Sequence, residues 1–302
     1  MNIKILPLLV LILCIGVFDS IRAQQLHFMS QYLQHNSMYN PAAAGFSGGS
    51  MVGASYRSMW SSFPGNPKTT MLYTDIDWKR MNAGIGAYLY HDETGPTTRN
   101  GLQLAYSYRI RLRNPENRIG IGIEARVLQF SINKSKLYGA QMNDPVLLGA
   151  SDKIKVDAGA GVYFSNGKLS FGGSAQQIIQ SKLDLAKVPS ATTEAKLYMM
   201  YSVMGNYKWQ TGDNIYVIPN FLFRINPNAP NEYDYGVKLD YRDLIWWSLN
   251  LRVRQFWSVQ AGFKLAQRVR FGYSYDINVT PITEFNNGAG SHEVGLQFDL
   301  KK

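Results

Sequence analysis

Residues 99–112 read RNGLQLAYSYRIRL, and from Leu102 every second residue is apolar or aromatic: Leu102, Leu104, Tyr106, Tyr108, Ile110 and Leu112. The residues between are small or polar: Gly101, Gln103, Ala105, Ser107, Arg109 and Arg111. A period of two places the two sets on opposite faces of a β-strand. Such a strand needs two unlike environments. A soluble sandwich supplies a core for the Leu/Tyr face and water for the other. A membrane barrel supplies lipid for the Leu/Tyr face and a wet lumen for the arginines.

The pattern recurs to the end of the chain. Strands are expected at 50–60, 69–78, 83–91, 99–112, 118–132, 153–165, 168–177, 197–209, 213–225, 232–241, 244–254, 256–265, 267–276 and 291–301. Most are near the ten or so residues that a tilted strand needs to cross a bilayer. No amphipathic helical stretch competes with them. The expected fold is therefore all-β, a transmembrane antiparallel up-and-down β-barrel of about 14 strands.

The start of the chain favours export. Lys4, the apolar run Leu8–Phe18 and Ile21-Arg22-Ala23 read as a signal peptide over 1–23, cut after Ala23. The single cysteine, Cys14, lies inside it, so the exported part uses no disulfide and no thiolate chemistry. No later segment reaches the roughly 18 apolar residues of a spanning helix. Charged residues make up only 17% of the chain, below the roughly 25% usual for soluble domains. Residues 24–49 are read as an N-terminal periplasmic or plug segment and 50–302 as the outer-membrane barrel.

The connections sort by length. With the N-terminus in the periplasm, the inner turns are 79–82, 114–117, 166–167, 210–212, 242–243 and the junction at Ala266, all short. The outer connections are 61–68, 92–98, 133–152, 178–196, 226–231, a tight turn near Gln255, and 277–290. Short periplasmic turns with longer external loops mark bacterial outer-membrane barrels. Trp60, Trp78, Trp209, Trp246, Trp247 and Trp257 fall at or near strand ends, as interfacial girdles would place them. Glu293, Gly295, Phe298 and Leu300 also fit a last-strand insertion signal. The inward face then carries Arg109, Arg111, Arg126, Arg252, Arg254, Arg268 and Arg270, together with carboxylates such as Glu124, Asp157 and Asp240. It either attracts anions or is cross-braced by Arg–carboxylate pairs.

No catalytic constellation stands out. The four histidines, His27, His35, His91 and His292, have no metal-ligand spacing. His91-Asp92-Glu93 reads as a polar turn closing on Gly95-Pro96. The GIG sequences at 84–86 and 120–122 lack the helix of a phosphate loop, and glycine on an inward strand face leaves room for large neighbours. The net charge of +10 does not point to nucleic acid in an exported barrel. No cofactor, metal or enzymatic activity is expected.

One group of motifs is more specific. Gln31-Tyr32 is followed by Asn40-Pro41 through Gly45, then Tyr56-Arg57 with Trp60 and Pro67, then Asp92 with Gly95-Pro96, and finally Gly290-Ser291-His292-Glu293. This set, in this order, resembles the PorP/SprF family of Bacteroidota outer-membrane proteins. The resemblance implies a barrel that works with type IX secretion or gliding components in the outer-membrane lipid. It also implies help in exporting and holding a large secreted surface protein, such as an adhesin, through that protein's C-terminal region. The alternative reading is a channel passing small solutes through a basic lumen.

Overall fold

The structure is a computed structural model, and it describes residues 28–114, 116–137, 139–143, 152–182, 196–227, 229–279 and 289–300. The leader at 1–23, residues 24–27 and parts of the loops 133–152, 178–196 and 277–290 lie outside the described residues.

Fifteen strands form one antiparallel sheet: β1 (Met51–Ser58), β2 (Lys68–Trp78), β3 (Ala83–Thr94), β4 (Thr97–Arg111), β5 (Arg118–Ile132), β6 (Lys153–Ser165), β7 (Leu169–Gln176), β8 (Met200–Tyr207), β9 (Trp209–Gly212), β10 (Ile215–Ile225), β11 (Glu232–Tyr241), β12 (Ile245–Arg252), β13 (Phe256–Leu265), β14 (Val269–Asn278) and β15 (Ser291–Asp299). β8 and β9 both pair with β10 and are parted only by Lys208, so together they make one stave. The barrel thus has 14 staves. It closes where β1 meets β15, from Met51 opposite Asp299 to Ser58 opposite His292. Closure removes the two free edges that an open sheet would present to lipid. Each segment expected from the alternation is a strand, with ends displaced by a few residues.

β4 shows why the wall has two faces. Leu102, Leu104, Tyr106, Tyr108 and Ile110 point outward and are 38–50% exposed, whereas Gln103, Ala105, Ser107 and Arg109 are buried. The same apolar outer face continues in Leu72, Leu89, Ile123, Val162, Leu249, Val259 and Leu296. A continuous apolar belt of this extent is untenable in water and matches the band a bilayer covers.

One tight inner turn uses the favoured pair Asn166-Gly167, with Gly167 left-handed, but two others lack asparagine and glycine. Arg242-Asp243 and Ala266-Gln267 both hold two successive left-handed residues, the geometry that matches the twist of a two-residue hairpin. Tryptophan divides. Trp78, Trp209, Trp247 and Trp257 stand outward near strand ends. Trp246 does not join a girdle: it points inward, is buried, and packs where a Cβ on Gly262 would lie 2.5 Å from its ring.

The core is not between sheets but inside the barrel. Residues 28–46 lie within the wall as a string of short turns: Tyr32–Gln34 and Pro41–Ala43 are 3-10 turns, and Asn36–Tyr39 is a single helical turn. Met29, Tyr32, Tyr39 and Ala42–Ala44 are almost completely buried, against Tyr73, Tyr88, Tyr163, Met71, Met204 and Leu222 of the wall.

Candidate functional site

The candidate site is the lumen together with the segment that occupies it. Between Phe28 and Gly49 the chain carries no acidic residue, lysine or arginine. The ionic groups belong to the wall, and the segment meets them with hydroxyls, amides and backbone N–H groups. This suits a buried polar interface, because most of the buried charges pair with one another on the wall, and Asp75 is met instead by Ser37, Gly45 and Ser47 of the segment.

At the long-loop end, Arg57 of β1 is wholly buried. It bonds Asp276 Oδ2 at 2.5 Å, Glu293 Oε2 at 3.1 Å and Ser30 Oγ at 2.6 Å. Glu293 also accepts from the backbone N–H of Ser30 at 2.6 Å and of Gln31 at 3.2 Å, and Asp276 accepts from Ser30 Oγ. Arg57 and Glu293 sit opposite each other across the β1–β15 seam, so the segment is tied to the line where the barrel closes. The Phe28 ring lies among guanidinium groups, 3.6 Å from Arg252 and 4.4 Å from Arg57, and stacks on Phe256 at 5.6 Å. Arg252 is held by Asp234 at 2.7 Å, and Arg224 pairs with Glu232.

Midway down, the Tyr32 hydroxyl bonds Asn220 Oδ1, and Gln260 Nε2 donates to Ser30 O at 2.8 Å. The His35 ring lies edge-on to Tyr73, centroids 4.6 Å apart. Ser37 Oγ bonds Asp75 and Tyr88. Met38 O accepts from Arg126 at 3.1 Å and Gln176 at 2.9 Å, while Arg126 also holds Glu124 at 2.7 Å.

Asn40 links the two halves of the segment. Its Oδ1 caps the next turn by accepting from Ala42 N at 3.0 Å, with Pro41 opening that turn, and its Nδ2 donates to Val162 O and Gly173 O of the wall. Ala42–Gly45 then press against bare glycines. A Cβ on Gly122 would lie 2.3 Å from Ala42 N, and one on Gly84 would lie 1.9 Å from Ala44 O. Gly45 adopts a left-handed φ of 75°, donates to Asp75 Oδ1 at 2.6 Å and accepts from Arg109 Nη1 at 2.9 Å. Arg109 also bonds Asp77 at 2.5 Å.

The motif residues fall into three groups. Gln31, Tyr32, Asn40, Pro41, Gly45, Arg57 and Glu293 belong to the contact between segment and wall. Trp60, Pro67, Asp92, Gly95, Pro96 and Ser291 organise the long-loop rim: Ser291 Oγ accepts from Trp60 N at 3.2 Å, and Pro67 O accepts from Met59 N at 2.9 Å. Asp92 accepts from Thr69 at 2.7 Å, left-handed Gly95 donates to Gly65 O at 2.9 Å, and Pro96 O accepts from Asn133 N at 2.8 Å. His91 turns away from Asp92 and bonds Asn100, so the two form no acid/base pair. Tyr56 and His292 stand on the outer face, His292 against Tyr273 at 2.7 Å.

Of the basic residues expected in the lumen, Arg109, Arg126 and Arg252 are buried there in ion pairs, and Arg270 is half-buried with Asp243 and Asp299. Arg254 is not in the lumen: it is exposed, with a left-handed φ, in the tight outer turn after β12. Arg268 is exposed in the inner turn before β14, and Arg111 is exposed at the same rim. The short-turn end is basic overall. Lys79, Arg111 and Arg118 flank one cavity of about 220 Å³, and Arg242, Lys264 and Arg268 flank another of about 800 Å³. In the second, partial burial pulls the Asp243 carboxyl upward, but its bonds to Arg270 and Lys264 outweigh this and hold it below its ordinary value.

Sequence reading passed over Asp75, Asp276, Arg224 and Asp234 as site residues. All four occupy inward positions of their strands, and a charge at such a position was the available signal. Ser30 and Ser37, on the irregular segment, gave no comparable signal.

A closed barrel with an apolar belt, a polar interior rich in ion pairs and a lumen that holds residues 28–46 of its own chain is an outer-membrane β-barrel. The chain belongs to the type IX secretion system membrane protein family PorP/SprF, whose profile matches residues 21–298. A search of curated protein sequences finds no significant match. Among solved structures it is similar to the CymD monoaromatic hydrocarbon channel, with a TM-score of 0.50 and 12% identity over 93% of this chain and 95% of that one. It is also similar to a Pseudomonas aeruginosa FadL homologue, with a TM-score of 0.49 and 12% identity over 87% and 93% of the two chains. These likenesses are of fold.

Proposed function

We propose that this barrel is a non-catalytic accessory of type IX secretion that anchors one large secreted protein, such as an adhesin, at the outer membrane. The observation that carries the reading is the occupied lumen. A wall whose inward charges are spent on one another and on residues 28–46 is suited to holding a shape, not to passing solutes. The long outer loops, 133–152, 178–196 and 277–290, are the surface offered to the cargo's C-terminal region. The basic inner rim around Arg111, Arg118, Arg242 and Arg268 is the surface offered to acidic secretion or gliding components in the periplasm.

The test is an affinity purification of the tagged protein from detergent-solubilised outer membrane, followed by mass spectrometry. The expected result is one large surface protein recovered with secretion components. Repeated recovery of the barrel alone, in good yield, would overturn the anchor reading in favour of the channel.

A further inference from the structure

The direction in which the segment runs through the barrel has a consequence for where the chain begins. Ser30 is bonded to Asp276 and Glu293, which flank the long connection between β14 and β15. Gly45 lies against Gly84 and Asp75, beside the short turn between β2 and β3. Phe28 is therefore at the long-loop end and Phe46 at the short-turn end. The chain descends the lumen before β1 begins to climb the wall. By the sorting of loop lengths, the long-loop end is the extracellular one.

We infer that the segment enters the lumen from the cell-surface side, so that the mature amino terminus lies on that side of the membrane. Cleavage after Ala23 leaves four residues, 24–27, ahead of Phe28. Fully extended, four residues reach at most about 14 Å. The apolar band alone is about 25 Å tall, and the lumen along that path is already filled by residues 28–46. The start of the chain therefore cannot return to the periplasm through the barrel. The inference stands on the direction of the segment and on the expected removal of the leader after Ala23, and is independent of the anchoring role.

The test uses a thiol. Cys14 is the only cysteine and leaves with the leader, so Gln24→Cys and Gln25→Cys each give a mature protein with a single reactive thiol. Intact cells of the native host are treated with a membrane-impermeant maleimide. Arg254→Cys in the outer turn and Arg113→Cys in an inner turn serve as position markers. The expected result is labelling of both N-terminal variants in intact cells to the same extent as Arg254→Cys, with Arg113→Cys labelled only after permeabilisation. Two results would each overturn the inference. One is N-terminal labelling that follows Arg113→Cys. The other is N-terminal labelling that appears only after denaturation.

Discussion

Replacing Arg57 by Met tests whether the segment is held by the wall's buried charge pairs. Arg57, Asp276 and Glu293 are all fully buried. Without the guanidinium, Glu293 retains only the backbone N–H groups of Ser30 and Gln31, and Asp276 only the Ser30 hydroxyl. Removing one partner of a buried pair costs about 3–5 kcal/mol, because the remaining charge is left uncompensated. Loss of the cation over the Phe28 ring adds up to about 2 kcal/mol. Whole-domain stabilities of about 5–15 kcal/mol make this a large fraction. Urea unfolding of the barrel in lipid vesicles, followed by tryptophan fluorescence, should show a midpoint shifted well below that of the unmodified protein. Because residues 28–46 contain no lysine or arginine, trypsin is blind to them and chymotrypsin is the suitable probe, at Tyr32, Tyr39 and Phe46. Cleavage there should accelerate by two orders of magnitude or more, about 1.4 kcal/mol per decade. Adding Asp276→Asn should recover part of the loss, since the pair is coupled. A single variant within about 1 kcal/mol of the parent, with the segment as protected as before, would refute the reasoning.

Three further outcomes follow from the same geometry. Gly84→Ala should loosen the Ala42–Gly45 turn by about 1–3 kcal/mol, because its Cβ would sit 1.9 Å from Ala44 O; the chymotryptic rate at Phe46 reads this. Tyr32→Phe removes one buried hydroxyl bonded to Asn220 and should cost less, about 0.5–1.5 kcal/mol by the same urea titration. The Asp243 carboxyl is held low, so its ion pairs with Arg270 and Lys264 contribute stability above its unfolded pKa and lose it as pH falls through the folded value. The urea midpoint of Asp243→Asn should therefore vary less with pH between about 5 and 2 than that of the parent, given the ordinary carboxyl near 3.9.

The wall was legible because a barrel strand imposes one rule at every residue. A period of two survives in Leu102–Ile110 whatever the neighbours, and parity alone assigns Arg109, Arg126 and Arg252 to the inside. Turn chemistry was less informative. Arg242-Asp243 and Ala266-Gln267 lack the asparagine or glycine that favours left-handed residues, and the break in alternation located them instead. Parity misplaced Arg254 and Arg268 because Arg254 lies two residues past the end of β12 and Arg268 one residue before β14, where alternation no longer fixes direction. The interior segment was hardest to read. Its contacts join residues from about 30 to more than 200 positions apart, as in Gly45 with Asp75 and Ser30 with Asp276, and its irregular turns carry no period. The GIG glycines made sense only once Ala42 and Ala44 were seen lying against them.

The most direct test of the account is the conductance of the purified full-length barrel in a planar lipid bilayer. A lumen filled by residues 28–46 predicts no sustained single-channel current from the unmodified protein. Stable, reproducible openings of that same protein would contradict the occupied lumen and, with it, the anchoring role built upon it.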